Sequence, residues 1–236
     1  MWCCPMPAND TIHPPARFRL PGFRLPKFYP ILDTEVAARH GVDPIFAAGK
    51  ILEGGAKILQ FRHKGFFSRD VFAALERVGS LCRAAGALFV VNDRADLAVI
   101  AGAALHLGQD DLTPAAARRV TGPAAIIGFS THNEGQLRAA VAGSVADYLA
   151  LGPIFGTASK QNPDPTVGLE ELKRLRALAD RPLVAIGGIT RDNARAVLAA
   201  GADAVAVIGD LFPVHPSLGG NLRARTEEWI AATLDA

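Results

Sequence analysis

The sequence predicts an α/β protein built as a single (β/α)8 TIM barrel, and three observations carry that prediction. From Lys27 to the C-terminus, short β-branched runs alternate with Ala/Leu/Arg segments of helical period, the pattern of parallel βα units. There are eight such runs, which suggests closure. The chain has 236 residues and 50% hydrophobic content, enough for a full core, and one β/α barrel usually takes about 200–250 residues. An open doubly wound sheet would also alternate strands and helices. Its G-x-G-x-x-G turn after an early strand is missing.

The first strand is predicted at Phe28–Asp33 and the first helix at Pro44–Glu53, with Gly54-Gly55 able to stop it in the left-handed conformation. The second strand, Lys57–Arg62, runs into Gln60-Phe61-Arg62-His63-Lys64. A period of two sends Gln60, Arg62 and Lys64 to one side and Phe61 and His63 to the other. A helix at Ser68–Ala84 and a stop at Gly86 lead to the third strand, Ala87–Asp93, whose Asn92 and Asp93 arrive too late in the apolar run to be core. A helix at Ala95–Ala101 stops at Gly102. The fourth strand, Ala104–Gly108, opens into His106-Leu107-Gly108-Gln109-Asp110-Asp111.

Thr113 and Pro114 supply a cap and a first-turn proline for the helix Pro114–Val120. The fifth strand, Ala125–Ser130, ends in Ser130-Thr131-His132 and precedes a helix at Glu134–Val141. The sixth, Tyr148–Ile154, delivers Gly152-Pro153-Ile154-Phe155-Gly156-Thr157-Ala158-Ser159-Lys160. Gln161–Val167, with Pro163 and Pro165, then reads as a loop over the barrel mouth, a candidate lid before the helix Leu169–Ala179. The seventh strand, Pro182–Ile189, contains Gly187-Gly188, and Thr190 heads the helix Arg191–Ala199. Gly201 precedes the eighth strand, Ala204–Ile208, which meets Gly209-Asp210 before a last helix at Leu222–Leu234.

Chemistry in this fold sits at the C-terminal ends of the strands, where the loops converge on one mouth. Strands two to four bring Gln60, Arg62, Lys64, Asn92, Asp93 and the Asp110-Asp111 pair to one rim. Structural salt bridges would use the same residues, but hard Mg²⁺ also takes one or two carboxylates and completes its shell with water and phosphate oxygens. Glycines after strands seven and eight expose backbone N–H groups, the usual phosphate cradle of this fold. Two anion-handling regions on one mouth suit two phosphorylated substrates.

Composition narrows the partners. The net charge of +2, from 25 Lys plus Arg against 23 Asp plus Glu, gives no general reason to expect nucleic acid or an anionic membrane. Self-association into a homo-oligomer is left open. Cys3, Cys4 and Cys82 form neither a disulfide framework nor a zinc-ligand spacing. No apolar run has the roughly 20 residues that span a bilayer, so a soluble, cytoplasmic protein is expected. Residues 1–26, with six prolines and no sustained apolar run, predict a disordered tail ahead of a barrel over 27–236.

In order along the chain, Gln60-Phe61-Arg62-His63-Lys64, Val91-Asn92-Asp93, His106-Leu107-Gly108-Gln109-Asp110-Asp111, Ser130-Thr131-His132, the Gly152–Lys160 segment and Ala185-Ile186-Gly187-Gly188-Ile189 resemble the thiamine phosphate synthase family over nearly all of residues 27–212. The resemblance implies a transferase that joins hydroxymethylpyrimidine pyrophosphate to thiazole phosphate, or its carboxylated form, and releases pyrophosphate. It assigns Gln60, Phe61, Arg62, His63, Lys64, Asn92, Ser130 and Lys160 to the pyrimidine pyrophosphate, with Arg62, Lys64 and Lys160 acting on the leaving group. Asp93 and Asp111 become the Mg²⁺ ligands, Asp110 being only their neighbour. Thr157, Ala158 and Ser159 would contact the thiazole phosphate, and Gly188, Ile208 and Gly209 would cradle it.

Three positions depart from the family pattern: Gly209 for a common serine, Ser159 for a frequent threonine, and Phe61 for a frequent leucine. The alternatives are a thiazole tautomerase of the same superfamily using His132 as acid/base, another phosphate-binding barrel, or a non-catalytic sensor of a thiamine precursor. A sensor should have lost a catalytic position, and none is lost.

Overall fold

The computed structural model describes residues 24–143, 145–156, 164–212 and 221–234. Residues 1–23, most of the expected tail, lie outside the described residues, as do Thr157, Ala158, Ser159, Lys160 and the first part of the expected lid, 161–163. Arg24–Pro26 carry no regular structure, although Leu25 packs against the apolar interior.

Eight parallel strands close into a barrel in sequence order: β1 (Phe28–Asp33), β2 (Ile58–Arg62), β3 (Leu88–Asn92), β4 (Ala104–Leu107), β5 (Ile127–Thr131), β6 (Tyr148–Leu151), β7 (Leu183–Ile186) and β8 (Ala204–Val207), with β8 paired back to β1. The helices are α1 (Thr34–Arg39), α2 (Pro44–Glu53), α3 (Arg69–Ala84), α4 (Ala95–Ala101), α5 (Pro114–Thr121), α6 (Glu134–Gly143), α7 (Gly168–Arg176), α8 (Arg191–Ala199) and α9 (Leu222–Leu234). The last of these completes the outer ring: Trp229, fully buried, stacks on Phe28 with ring centroids 5.4 Å apart.

Strand alternation divides the core in two. Phe28, Leu32, Leu59, Phe61 and Val91 face outward onto the helices, while Tyr29, Ile31, Ile58, Val90 and Tyr148 fill the barrel interior. Position 128 shows how tightly that interior is filled. A Cβ on Gly128 would stand 2.1–2.4 Å from the Tyr148 ring, so Gly128→Ala should destabilise the fold by about 3 kcal/mol, the upper end of the usual overpacking cost. Urea denaturation would measure it as a lowered midpoint.

Strands β3, β4 and β8 end one residue before the predicted bound, and two strands end three residues before it. Strand β6 stops at Leu151 because Pro153 has no N–H for the ladder, and β7 stops at Ile186 because Gly187 and Gly188, at φ 98° and 63°, turn the chain out of the sheet. Helix α1 was not expected. The Asp33 side chain makes it, accepting from the N–H groups of Glu35 and Val36 at 3.0 and 2.9 Å. A short 3₁₀ turn, Gly209–Leu211, follows β8 where no element was predicted.

Candidate active site

The carboxyl ends of β2, β3 and β4 bring the predicted polar residues to one rim. Register sets Gln60 beside Val90 and Asn92 beside His106. Arg62 donates to the buried carboxylate of Asp33, and Lys64 Nζ donates to Asp93 Oδ2 at 2.5 Å. Asp33 is a rim residue the sequence reading gave no role. Its signal was its place as a carboxylate at the end of β1, matching Asp93 at the end of β3.

Asp93 leaves its strand at φ 65°, a left-handed conformation that Asp and Asn tolerate better than most residues. Its N–H donates to His106 O at 2.8 Å, which ties the turn to β4. The Asp93 and Asp111 carboxyls come within hydrogen-bonding reach of each other, and Gly108 N donates to Asp111 Oδ2 at 2.7 Å. Burial first, and the Asp111 carboxyl next, push the Asp93 pKa up to about 6 against the lowering pull of Lys64. Crowded carboxylates of this kind are what a divalent cation relieves. Among the described residues no group of three or more His, Cys, Asp or Glu could hold a metal, so the protein side of such a site is this pair. That number fits Mg²⁺, which leaves most of its shell to water and phosphate.

Beneath the rim, Asn92 is buried and its Nδ2 has no hydrogen-bond partner among the described residues. An unmet buried donor normally costs about 1–3 kcal/mol, so its place next to two carboxylates and two cations suits an anionic ligand oxygen. Ser130 stands half-buried on β5, bonded through Oγ to His106 Nε2 at 2.9 Å. Burial pushes the His106 pKa down to about 4.

Phe61 and His63 do not join this cluster through their side chains. Phe61 is 1% exposed in the outer core, and His63 bonds to Thr34 Oγ1 at 2.7 Å and Phe66 O at 3.1 Å. The strand's period of two turns both away, so they can meet a ligand only through their backbone. The sequence reading also missed Tyr29 and Tyr148, the chain's two tyrosines, which lie in the interior directly below Gln60 and His106.

The opposite side of the mouth is backbone. The segment after β6 is pinned to β7 by Ile154 N donating to Ile186 O at 2.9 Å and Phe155 N to Gly187 O at 3.0 Å. A Cβ on Gly188 would meet Gly156 O at 2.4 Å, so glycine there is required by both φ and space. Asn193 Nδ2 donates to Gly188 O at 3.1 Å, and Asn193 Oδ1 accepts from Thr190 N at 2.9 Å, fixing the start of α8 beneath the same turn. Gly209 opens the 3₁₀ turn after the neighbouring β8, with Ile208 just before it.

His132 is engaged elsewhere: its Nδ1 lies 2.6 Å from Gly152 O, and Asp164 Oδ2 is 3.5 Å away. It therefore ties the loop after β5 to the loop after β6.

A family model described as thiamine monophosphate synthase matches residues 28–211. The thiamine-phosphate synthase of Koribacter versatilis is 48% identical over 199 residues, covering 81% of this chain and 91% of that protein. That of Laribacter hongkongensis is 43% identical over 182 residues, covering 76% and 84%. Among solved structures, a thiamine phosphate pyrophosphorylase from Pyrococcus furiosus superposes with a TM-score of 0.75 at 32% identity, covering 89% of this chain and 96% of that one.

Proposed function

Because the chain belongs to the thiamine monophosphate synthase family and makes thiamine phosphate, we propose that the rim of β2, β3 and β4 binds hydroxymethylpyrimidine pyrophosphate with Mg²⁺, and that the glycine turns after β7 and β8 bind the thiazole phosphate. The observation that supports this most is the meeting of the Asp93 and Asp111 carboxyls beside Lys64, with the unmet Asn92 Nδ2 below. Asp93 and Asp111 would hold the cation, which when bound neutralises charge on the leaving pyrophosphate.

The reaction begins as the C–O bond to pyrophosphate breaks, its electrons leaving with pyrophosphate. The carbinyl cation that remains is stabilised by the ring's 4-amino group. The thiazole nitrogen lone pair then forms the new C–N bond, so no protein nucleophile is needed. Arg62, Lys64 and Lys160 act where negative charge develops, and two of them are held in advance, Arg62 by Asp33 and Lys64 by Asp93. Gln60, Asn92 and Ser130 fix the pyrimidine substrate. Thr157, Ala158, Ser159, Gly188, Ile208 and Gly209 take the thiazole phosphate. The engagement of His132 with Gly152 O gives the tautomerase reading no support. Among the described residues no helix is long and apolar enough to cross a membrane, in keeping with a cytoplasmic site of action.

The Mg²⁺ requirement should depend on pH. The Asp93 pKa is raised, from 3.8 to about 6, so protons compete with the cation for this carboxylate over that window. The Mg²⁺ concentration for half-maximal rate should rise as pH falls through about 6 and level off above it. The metal-free fold should show the opposite sign, losing stability as pH rises from 3.8 to about 6, where the unfolded chain gives up this proton and the folded one keeps it. Rate measurements against Mg²⁺ at several pH values test the assignment. An unchanged requirement from pH 5 to 8 would contradict it.

Gly209 offers a test of the other side. It sits in a helical turn that serine can adopt, and a hydroxyl there would add a donor worth roughly 1.5–3 kcal/mol to a charged group in good geometry. Gly209→Ser should lower the KM for thiazole phosphate or leave it unchanged, with little effect on the pyrimidine substrate. A larger rise in the pyrimidine KM would mean the two substrates have been placed on the wrong sides.

A further inference from the structure

An unbroken line of hydrogen bonds runs through the barrel interior below the mouth. Gln60 Nε2 donates to Tyr29 Oη at 2.8 Å, and Tyr29 Oη meets Tyr148 Oη at 2.9 Å. Tyr148 Oη meets His106 Nδ1 at 3.0 Å, and His106 Nε2 meets Ser130 Oγ at 2.9 Å. The first four residues are buried, and Ser130 is half-buried at the mouth. Packing holds the line in place: the Tyr148 ring stacks on His106 with centroids 5.5 Å apart and meets Tyr29 edge-on at 6.1 Å.

Hydrogen counting gives the line a direction. An amide nitrogen only donates, so Tyr29 Oη accepts from Gln60. The single Tyr29 hydroxyl hydrogen then goes to Tyr148, its other partner among the described residues. Since a buried hydroxyl hydrogen is seldom left unpaired, Tyr148 in turn gives its own to His106 Nδ1, which is therefore bare. A neutral imidazole with a bare Nδ1 carries its hydrogen on Nε2 and donates it to Ser130 Oγ. Ser130 thus accepts from below and keeps its own hydrogen for the mouth.

We infer that this relay holds Ser130 as a hydrogen-bond donor toward the substrate, with Tyr29, Tyr148 and His106 as positioning residues that act through it. Turning the Gln60 amide over would reverse every bond. The hydrogen of Ser130 would then point inward, and the mouth would receive only its lone pairs. A site with Arg62 and Lys64 on its rim is arranged for an anion, and an anion needs the donor. The identity of that acceptor rests on the proposed substrate, whereas the direction of the relay does not.

The direction can be read directly in the full-length protein. Nitrogen-15 NMR of the histidine side chains, with His106 assigned by its absence from His106→Gln, should show the hydrogen on Nε2 and a bare Nδ1. A hydrogen on Nδ1, or on both nitrogens, overturns the relay whether or not the enzyme turns over. Tyr148→Phe removes the donor to Nδ1. It should shift the His106 signals toward a mixture of tautomers and lower kcat/KM for the pyrimidine pyrophosphate roughly tenfold, the size of one net hydrogen bond, with the thiazole phosphate KM within about twofold. A folded Tyr148→Phe with unchanged His106 signals or unchanged kinetics overturns the positioning role. If that variant does not fold, the spectrum of the unaltered protein still decides the direction. Absence of thiamine phosphate synthesis in the unaltered protein would instead count against the substrate reading alone.

Discussion

Asp93→Asn is expected to cut turnover by at least about 10²-fold, the usual cost of losing a group that stabilises developing charge, and to raise the Mg²⁺ requirement of what remains. The substitution isolates the charge. Asparagine is close in size and also tolerates the left-handed backbone that Asp93 adopts at φ 65°, so the turn between β3 and β4 should survive. One carboxylate would then face the cation, and Lys64, which donates to Asp93 Oδ2 at 2.5 Å, would lose its charged partner. Thermal unfolding of the metal-free variant should show no loss of stability, since burial and Asp111 already disfavour the ionised Asp93. An Asp93→Asn enzyme with near-normal rate at ordinary Mg²⁺ would remove Asp93 from the metal site.

Lys160→Ala should cost on the order of 10²-fold or more in kcat for the same reason, because under the proposed assignment it takes a cation from the departing pyrophosphate. His132→Ala supplies the comparison. Its Nδ1 contact with Gly152 O at 2.6 Å joins two loops, so its loss should loosen the segment and cost less than the loss of Lys160. Pre-steady-state measurement of pyrophosphate release would separate the two, with the Lys160 variant slowed in bond cleavage. If His132→Ala were the more damaging, proton transfer would be the chemistry, and the tautomerase reading would displace the synthase.

How far the sequence could be read depended on the range of the interaction. Strands were legible because they are buried parallel runs with helices between them, and β1 falls at its predicted bounds, Phe28–Asp33. Helix α1 was not legible: it is six residues long, and its capping residue, Asp33, reads as the last residue of a strand. The facing of Gln60, Arg62 and Lys64 followed from a period of two, and the same rule turned Phe61 and His63 away. That Asp93 reaches Asp111 followed from adjacent strands ending at one rim. The Tyr29 and Tyr148 pair could not be read this way, because 119 positions separate them and only barrel closure brings their hydroxyls to 2.9 Å. Pairing of Arg62 with Asp33 across 29 positions was hidden for the same reason.

The central claim is tested most directly by incubating the purified full-length protein with hydroxymethylpyrimidine pyrophosphate, thiazole phosphate and Mg²⁺, and measuring thiamine phosphate and pyrophosphate together. The two products should appear in equal amounts, stop on addition of excess chelator and resume when Mg²⁺ is restored. Failure to form thiamine phosphate, or full turnover in excess chelator, would contradict the account.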